Sequence, residues 1–264
     1  MSSVLVDAHA HLDHYEAELD AALAEIDAGP ILTVAVSMDL PSYQRTQAIA
    51  DGHDWIVPCV GVHPWNAASW ADRLDELGDA VVESPMLGEI GLDYHWVEDT
   101  ATYPAQRDVL AFFLRSAAEQ GKIVNLHTKG AEQDVLELLR RNEVRRAIVH
   151  WYSGPRDVLD DLIAHGCYFT VGVEVLTSKR IRQIARRIPD DRLLTETDNP
   201  GGWTWLYPGE VGMPSRVSDV VTRLAEVRRS TPDAVENQVQ ANFVRLIHND
   251  PHMARIASLL TARG

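Results

Sequence analysis

The chain has 264 residues, with 24 Lys plus Arg against 39 Asp plus Glu, and a formal net charge of −15. That length permits one barrel-sized domain or two small ones, and it is ample for a core without disulfide or metal staples. With 45% hydrophobic and 24% charged residues the composition is that of a folded globular protein, and the charge argues against a basic nucleic-acid wrapper or a polybasic membrane binder. An enzyme that meets an anion at a local site stays open.

The charge is unevenly spread: residues 1–121 carry a net −17 and residues 122–264 a net +2. This describes either an acidic and a neutral domain, or one domain with an acidic side. Cys59 and Cys167 lie far apart and form no CxxC pair, which reads as two reduced core thiols. No apolar run reaches about 18 residues, the minimum for a membrane-spanning helix. The start lacks the basic and apolar regions of a signal peptide, so a cytoplasmic protein is expected.

Along the chain, short Val-, Ile- and Leu-rich runs alternate with amphipathic segments. A strand at 4–7 precedes a helix at 17–26, then strand 31–37 and helix 43–50, strand 56–62 and helix 70–82, strand 86–91 and helix 106–120. The second half continues with strand 123–126 and helix 132–141, strand 147–149 and helix 158–165, strand 167–171 and helix 179–187, and strand 193–197. The strands are apolar almost throughout, as strands buried on both faces are. The helices show apolar spacings of three and four. Pro41, Pro104 and Pro155 mark helix starts, and Gly29, Gly52, Gly121 and Gly166 mark ends. Residues 215–262 read as two or three more helices, on the outside or across the bottom.

Eight βα units in roughly 250 residues predict an α/β protein, a single (β/α)8 TIM barrel with extra C-terminal helices, spanning 1–264 as one domain. A doubly wound open sheet is the rival. It would have fewer strands and a Gly-rich first loop, whereas the first loop here is His-rich.

The chemistry gathers at strand ends. His9 and His11 close the first strand; residues i and i+2 share a face with Cα atoms about 7 Å apart, so two imidazoles can converge on one cation. Glu89 follows 85–88, His127 closes 123–126, His150 closes 147–149 and Asp198 follows 193–197. In a barrel these five strand ends surround one mouth. Four imidazoles and two carboxylates suit two divalent ions, Zn2+ first and Mn2+ or Mg2+ next, with one carboxylate bridging and positions left for water.

The order His9-X-His11, the string Gly88-Glu89-Ile90-Gly91-Leu92-Asp93-Tyr94, Gly61-Val62-His63-Pro64, His127, His150 and Glu196-Thr197-Asp198 resembles the TatD-type DNase family of metal-dependent hydrolases, in the amidohydrolase superfamily. The resemblance runs from Val6 to Asn242-Phe243. It implies a TIM barrel with a two-metal site. His9, His11, Glu89 and Asp198 would hold the first metal. Glu89 would bridge to a second, held also by His127 and His150. Asp198 would orient or deprotonate the attacking water. His63 is a mouth residue by this resemblance, read as a substrate or transition-state contact; held by Pro64, it could instead be structural. Asp7 would support a ligand histidine, and Asp93 and Tyr94 would brace the Glu89 loop.

Three segments depart from the commonest family pattern. Thr128-Lys129-Gly130 follows His127 where an Arg-Asp pair is more usual, Trp151-Tyr152-Ser153-Gly154 follows His150, and Asn199-Pro200-Gly201-Gly202-Trp203 follows Asp198. The stretch 205–214 carries no Arg or Lys. Trp65, Trp96, Trp151, Trp203 and Trp205 follow strand ends and offer either a stacking wall for a planar group or packing for the loops. Lys129, with Trp151 and Trp203, is the candidate substrate contact, and Arg156, Lys179 and Arg216 are further phosphate candidates. Arg140, Arg141, Arg145 and Arg146 fall at the bottom face, as helix-end charges.

The function expected is metal-dependent hydrolysis of a phosphodiester, in a DNA end or a nucleotide-like molecule, with Asp198, Glu89 and His63 in the catalytic roles. The alternative keeps the site but cleaves an amide, ester or lactone. A carboxylated Lys often bridges the metals of such relatives, and here Glu89 stands in that place. A non-catalytic metal-binding scaffold is the third reading, disfavoured by the acid–base Asp198. Partners expected are a small molecule or DNA end, with no membrane and no stable extended nucleic-acid complex.

Overall fold

Each apolar run becomes a strand of one parallel sheet. The computed structural model describes residues 4–263, and its strands are β1 Leu5–Ala10, β2 Ile31–Val36, β3 Ile56–Val60, β4 Met86–Gly91, β5 Val124–His127, β6 Ala147–Val149, β7 Tyr168–Val171 and β8 Leu193–Thr195. They pair in sequence order from β1 to β8, every pair parallel. β2 and β4 through β8 are buried along their whole length, which is why their sequences lack polar alternation.

The seam between β8 and β1 is closed by hydrogen bonds. The Asp198 amide donates to the His9 carbonyl at 2.9 Å and the His11 amide to the Asn199 carbonyl at 2.8 Å. The Asp7 carboxylate accepts from the Thr197 amide at 2.9 Å and its hydroxyl at 2.6 Å. The expected TIM-barrel class is thus borne out. The −17 and +2 stretches contribute strands to the same sheet, so the charge boundary is not a sheet boundary.

Two glycines let three strand ends crowd together. A Cβ on Gly91, whose φ is +155°, would lie 2.0 Å from the His127 carbonyl oxygen, and one on Gly61 would lie 2.4 Å from the Glu89 carbonyl oxygen. No side chain fits at either place, so β4 is pressed between its neighbours where Glu89 emerges.

The helices follow the expected order, with two departures. The helix expected at 70–82 is broken into Ala67–Trp70, a 3-10 turn Leu74–Leu77 and Gly78–Glu83. Arg73 leaves helical geometry (φ −133°, ψ 24°), lays its guanidinium over Trp70 at 4.7 Å and pairs with Glu76, while Gly78 adds little helical drive. A short helix, Gly201–Leu206, occupies part of what the sequence suggested was a loop.

The tail supplies three helices, Val217–Arg228, Pro232–Leu246 and Ala254–Arg263. Pro232–Leu246 covers the seam, where the Asn242 amide donates to the Leu193 carbonyl at 2.8 Å. Arg255 donates to the Ile56 carbonyl at 3.1 Å, and Arg146 pairs with Asp250 at 2.8 Å, so the last segment ties the bottom face. No described helix is long and apolar enough to cross a membrane.

Candidate metal centre

Six side chains from five strand ends converge at the C-terminal mouth, and Glu89 stands at their middle. Its Oε2 faces His9 Nε2 at 3.5 Å and His11 Nε2 at 3.3 Å. Asp198 Oδ1 lies 3.5 Å and 3.3 Å from those same two nitrogens. The other oxygen, Oε1, faces His127 Nδ1 at 2.8 Å and His150 Nε2 at 3.0 Å. His63 Nε2 joins this second group, 3.5 Å from Oε1 and 3.3 Å from His127 Nδ1. His9 and His150 stack face to face at 3.9 Å, holding the two groups together. All of these side chains are buried except that of Asp198, which is 23% exposed.

Outer partners orient the rings. The Asn125 side-chain oxygen accepts from His9 Nδ1 at 2.9 Å, and its amide nitrogen donates to the Ala8 carbonyl at 2.8 Å. The Asn125 amide oxygen is therefore the atom at His9, which makes His9 Nδ1 the donor and frees Nε2 as a lone pair. Asp93 sits 3.1 Å behind His127 Nε2 and accepts the Trp65 indole N–H at 2.8 Å. Glu196 lies 3.5 Å from His150 Nδ1, fixed by the Thr170 hydroxyl at 2.6 Å and the Trp151 amide at 2.9 Å. His63 Nδ1 accepts the Trp65 amide at 3.2 Å, so the proton of the neutral ring is on Nε2, facing Glu89.

The electrostatics mark a site that draws positive charge. Burial pushes the Glu89 carboxyl up, but His63, His150 and His9 outweigh it and hold it well below the usual carboxylate range. Asp198 is likewise lowered against its burial, by His11 and His9. Burial alone would lower His11 and His150; the facing carboxylates of Asp198 and Glu89 for His11, and of Glu89 and Glu196 for His150, push each up to about 10. His63 is the contrast, held down at about 4 chiefly by burial. Burial raises Asp7 to about 7 against its bonds to Thr197.

The donor set fits divalent cations. His9 Nε2 is buried with no hydrogen-bond partner, and such an atom amid two carboxylates is what a metal ligand looks like without its ion. His9, His11 and Asp198 can close on one ion; so can His9, Glu89 and His150, or His63, Glu89 and His127. Backbone strain gathers here too: Asp198 (φ 54°) and Trp151 (φ 38°) occupy the left-handed region, which costs about 1–3 kcal/mol each in a non-glycine residue.

The remaining sequence candidates fall as follows. Asp7 bonds Thr197 and, at 3.4 Å, the His9 amide, bracing the strand rather than the imidazole. Tyr94 bonds Asp134 at 3.0 Å, away from Glu89. The Lys129 amine donates to the Trp151 carbonyl at 2.9 Å and the Ser153 hydroxyl at 3.1 Å. Trp203 is buried, its indole N–H on Glu210 at 3.0 Å and the Arg216 guanidinium over its ring at 4.1 Å. Arg156 bonds Gln183, and Arg140 pairs with Asp161 at 3.9 Å.

Sequence reasoning gave no role to Asn125, nor to Glu196 beyond its place in the Glu196-Thr197-Asp198 motif. A spacing signal was present: Asp7 stands two before His9, Asn125 two before His127 and Glu196 two before Asp198. Along a strand that spacing shares one face, so each is the next inward position beneath a mouth residue.

A parallel sheet of eight strands with such a cluster at its C-terminal mouth defines the metal-dependent hydrolase class of α/β barrels. Residues 6–248 match the model of TatD related DNase, and the chain belongs to that family. It is 31% identical over 257 residues to the "Uncharacterized metal-dependent hydrolase YcfH" of Escherichia coli strain K12, covering 93% of this chain and 96% of the relative. It is 28% identical to the "3'-5' ssDNA/RNA exonuclease TatD" of Enterobacter lignolyticus, covering 82% and 85%. The crystal structure of YJJV, a TatD homolog from Escherichia coli, superposes with TM-score 0.81 at 24% identity, covering 92% of this chain and 97% of that one, and shows the same fold.

Proposed function

We propose that the protein is a two-cation phosphodiesterase acting at the end of a nucleic-acid strand or on a nucleotide-like molecule. The observation that carries this reading is the division of Glu89, whose two oxygens face two separate groups of donors. His9, His11, Asp198 and Glu89 would hold one cation, and Glu89, His127 and His150 the other. The bound cations supply Lewis acidity toward the phosphoryl oxygens and the attacking water.

The chain's own groups do the rest. Asp198 is the member of the cluster most open to solvent, so its carboxylate orients the incoming water and accepts its proton. His63 presents an Nε2–H from a ring kept neutral by burial, and donates it to the oxygen on which negative charge grows. Asp93, Glu196 and Asn125 keep the imidazoles aimed. The relative named a ssDNA/RNA exonuclease supports the phosphodiester. A glutamate at the bridging place, rather than a lysine, supports it over the amide, ester and lactone alternative.

The test is metal analysis, then assay of chelated and Zn-, Mn- or Mg-reloaded protein on single-stranded DNA and on a panel of amides, esters and lactones. Two ions per chain and metal-dependent cleavage of DNA are expected. Activity that survives chelation, or turnover confined to carboxyl substrates, overturns the reading.

A further inference from the structure

Few large apolar side chains among the described residues are more than half exposed, and three of them are tryptophans on mouth-side loops: Trp65 at 56%, Trp96 at 57% and Trp205 at 58%. Exposed aromatic surface gathered at one end of a barrel is costly to leave in water and marks a binding face.

These side chains form two flanks. On one, the Trp65 indole N–H and the Trp96 amide both donate to Asp93, at 2.8 and 2.7 Å, the carboxylate that also backs His127. The Trp65 ring stands edge-on to His63 at 4.8 Å. On the other flank, Trp151 follows His150 and donates its indole N–H to Glu174 at 2.6 Å. Trp205 packs edge-on against Trp151 at 5.7 Å. With that contact made, Trp205 is still 58% exposed.

Three of the four candidate phosphate cations are committed elsewhere. Lys129 is tied to Trp151 and Ser153, Arg216 covers Trp203 and pairs with Asp219 at 3.2 Å, and Arg156 bonds Gln183. A backbone-tracking groove needs free Lys or Arg along its length; this mouth is richer in exposed indoles.

We propose that Trp65 with Trp96, and Trp205 with Trp151, are stacking platforms for the bases flanking the scissile phosphodiester. The chain then recognises its substrate through the faces of the bases beside the cleaved bond as well as through the phosphodiester. This rests on the phosphodiesterase reading, and it adds the groups that choose the substrate.

The experiment compares kcat/KM on a short single-stranded oligonucleotide and on an abasic strand of the same length, with metal content measured throughout. The wild type is expected to prefer the base-bearing strand. Trp205→Ala is expected to lower that preference about tenfold, the size of one lost stacked base, mainly through KM. Trp205→Phe keeps a ring and holds the preference within about threefold. Trp96→Ala reports on the other flank in the same way. Unchanged preference in both alanine variants overturns the proposal, as does a phenylalanine variant that falls as far as alanine. So does a wild-type dimer that Trp205→Ala dissociates in sedimentation, since the face then belongs to a second copy. Failure of the underlying reading shows separately, in wild-type protein that cleaves neither strand.

Discussion

The two halves of the centre share Glu89 yet are built from different materials. On the Oε2 side, His9 is backed by the neutral Asn125 amide, and the charge comes from Asp198, a partly exposed carboxylate on a strained residue. On the Oε1 side, His127 and His150 are each backed by a carboxylate, Asp93 and Glu196. A carboxylate behind an imidazole raises its basicity more than an amide does. Under the proposed mechanism the Oε1 half holds and the Oε2 half reacts, since the Asp198 charge is the one open to solvent.

Variants can break or sharpen that contrast. The largest effect belongs to Glu89→Gln, which removes the shared charge. Metal content after dialysis should fall in both halves, and turnover should drop by about 10³-fold or more. A variant that keeps both ions contradicts the bridging role. Next comes Asp198→Asn, expected to lower kcat by about 10²–10⁴-fold, as loss of a general base does, while costing no more than one ion per chain by metal analysis. Loss of both ions would show that the halves are not separable.

The outer partners give smaller effects. Asp93→Asn should weaken metal binding about 10–100-fold in a competition titration with a chelator, and Asn125→Ala should weaken it less. Equal losses would remove the distinction between a carboxylate and an amide backing. The smallest effect is structural. Thr197→Val deletes the hydroxyl that bonds Asp7 at the β8–β1 seam, and should cost about 1–3 kcal/mol in urea unfolding. No measurable cost would mean that Asp7 is satisfied without it.

Much of this was legible in the chain. The eight strands announced themselves because a strand buried on both faces must be apolar throughout, and all eight lie within a few residues of their expected places. The six mouth residues were legible because each ends such a strand. The expected helix at 70–82 failed where Arg73 found Trp70 and Glu76, contacts that no periodicity encodes. The helix Gly201–Leu206 was hidden because Pro200 and two glycines look like a loop; packing of Gly202 against the Thr197 carbonyl, where a Cβ would lie 2.3 Å away, sets it.

The sequence by itself determined the barrel, its strand order and the set of polar groups at the mouth, because burial periodicity and strand-end position are local properties of the chain. The tertiary structure decided which oxygen of Glu89 faces which imidazoles, that Asn125 and Glu196 stand behind His9 and His150, and that Trp203 is covered while Trp205 is open. Those are relations between residues up to about 190 positions apart, such as Asp7 and Thr197, and only closure of the sheet brings such pairs within bonding distance.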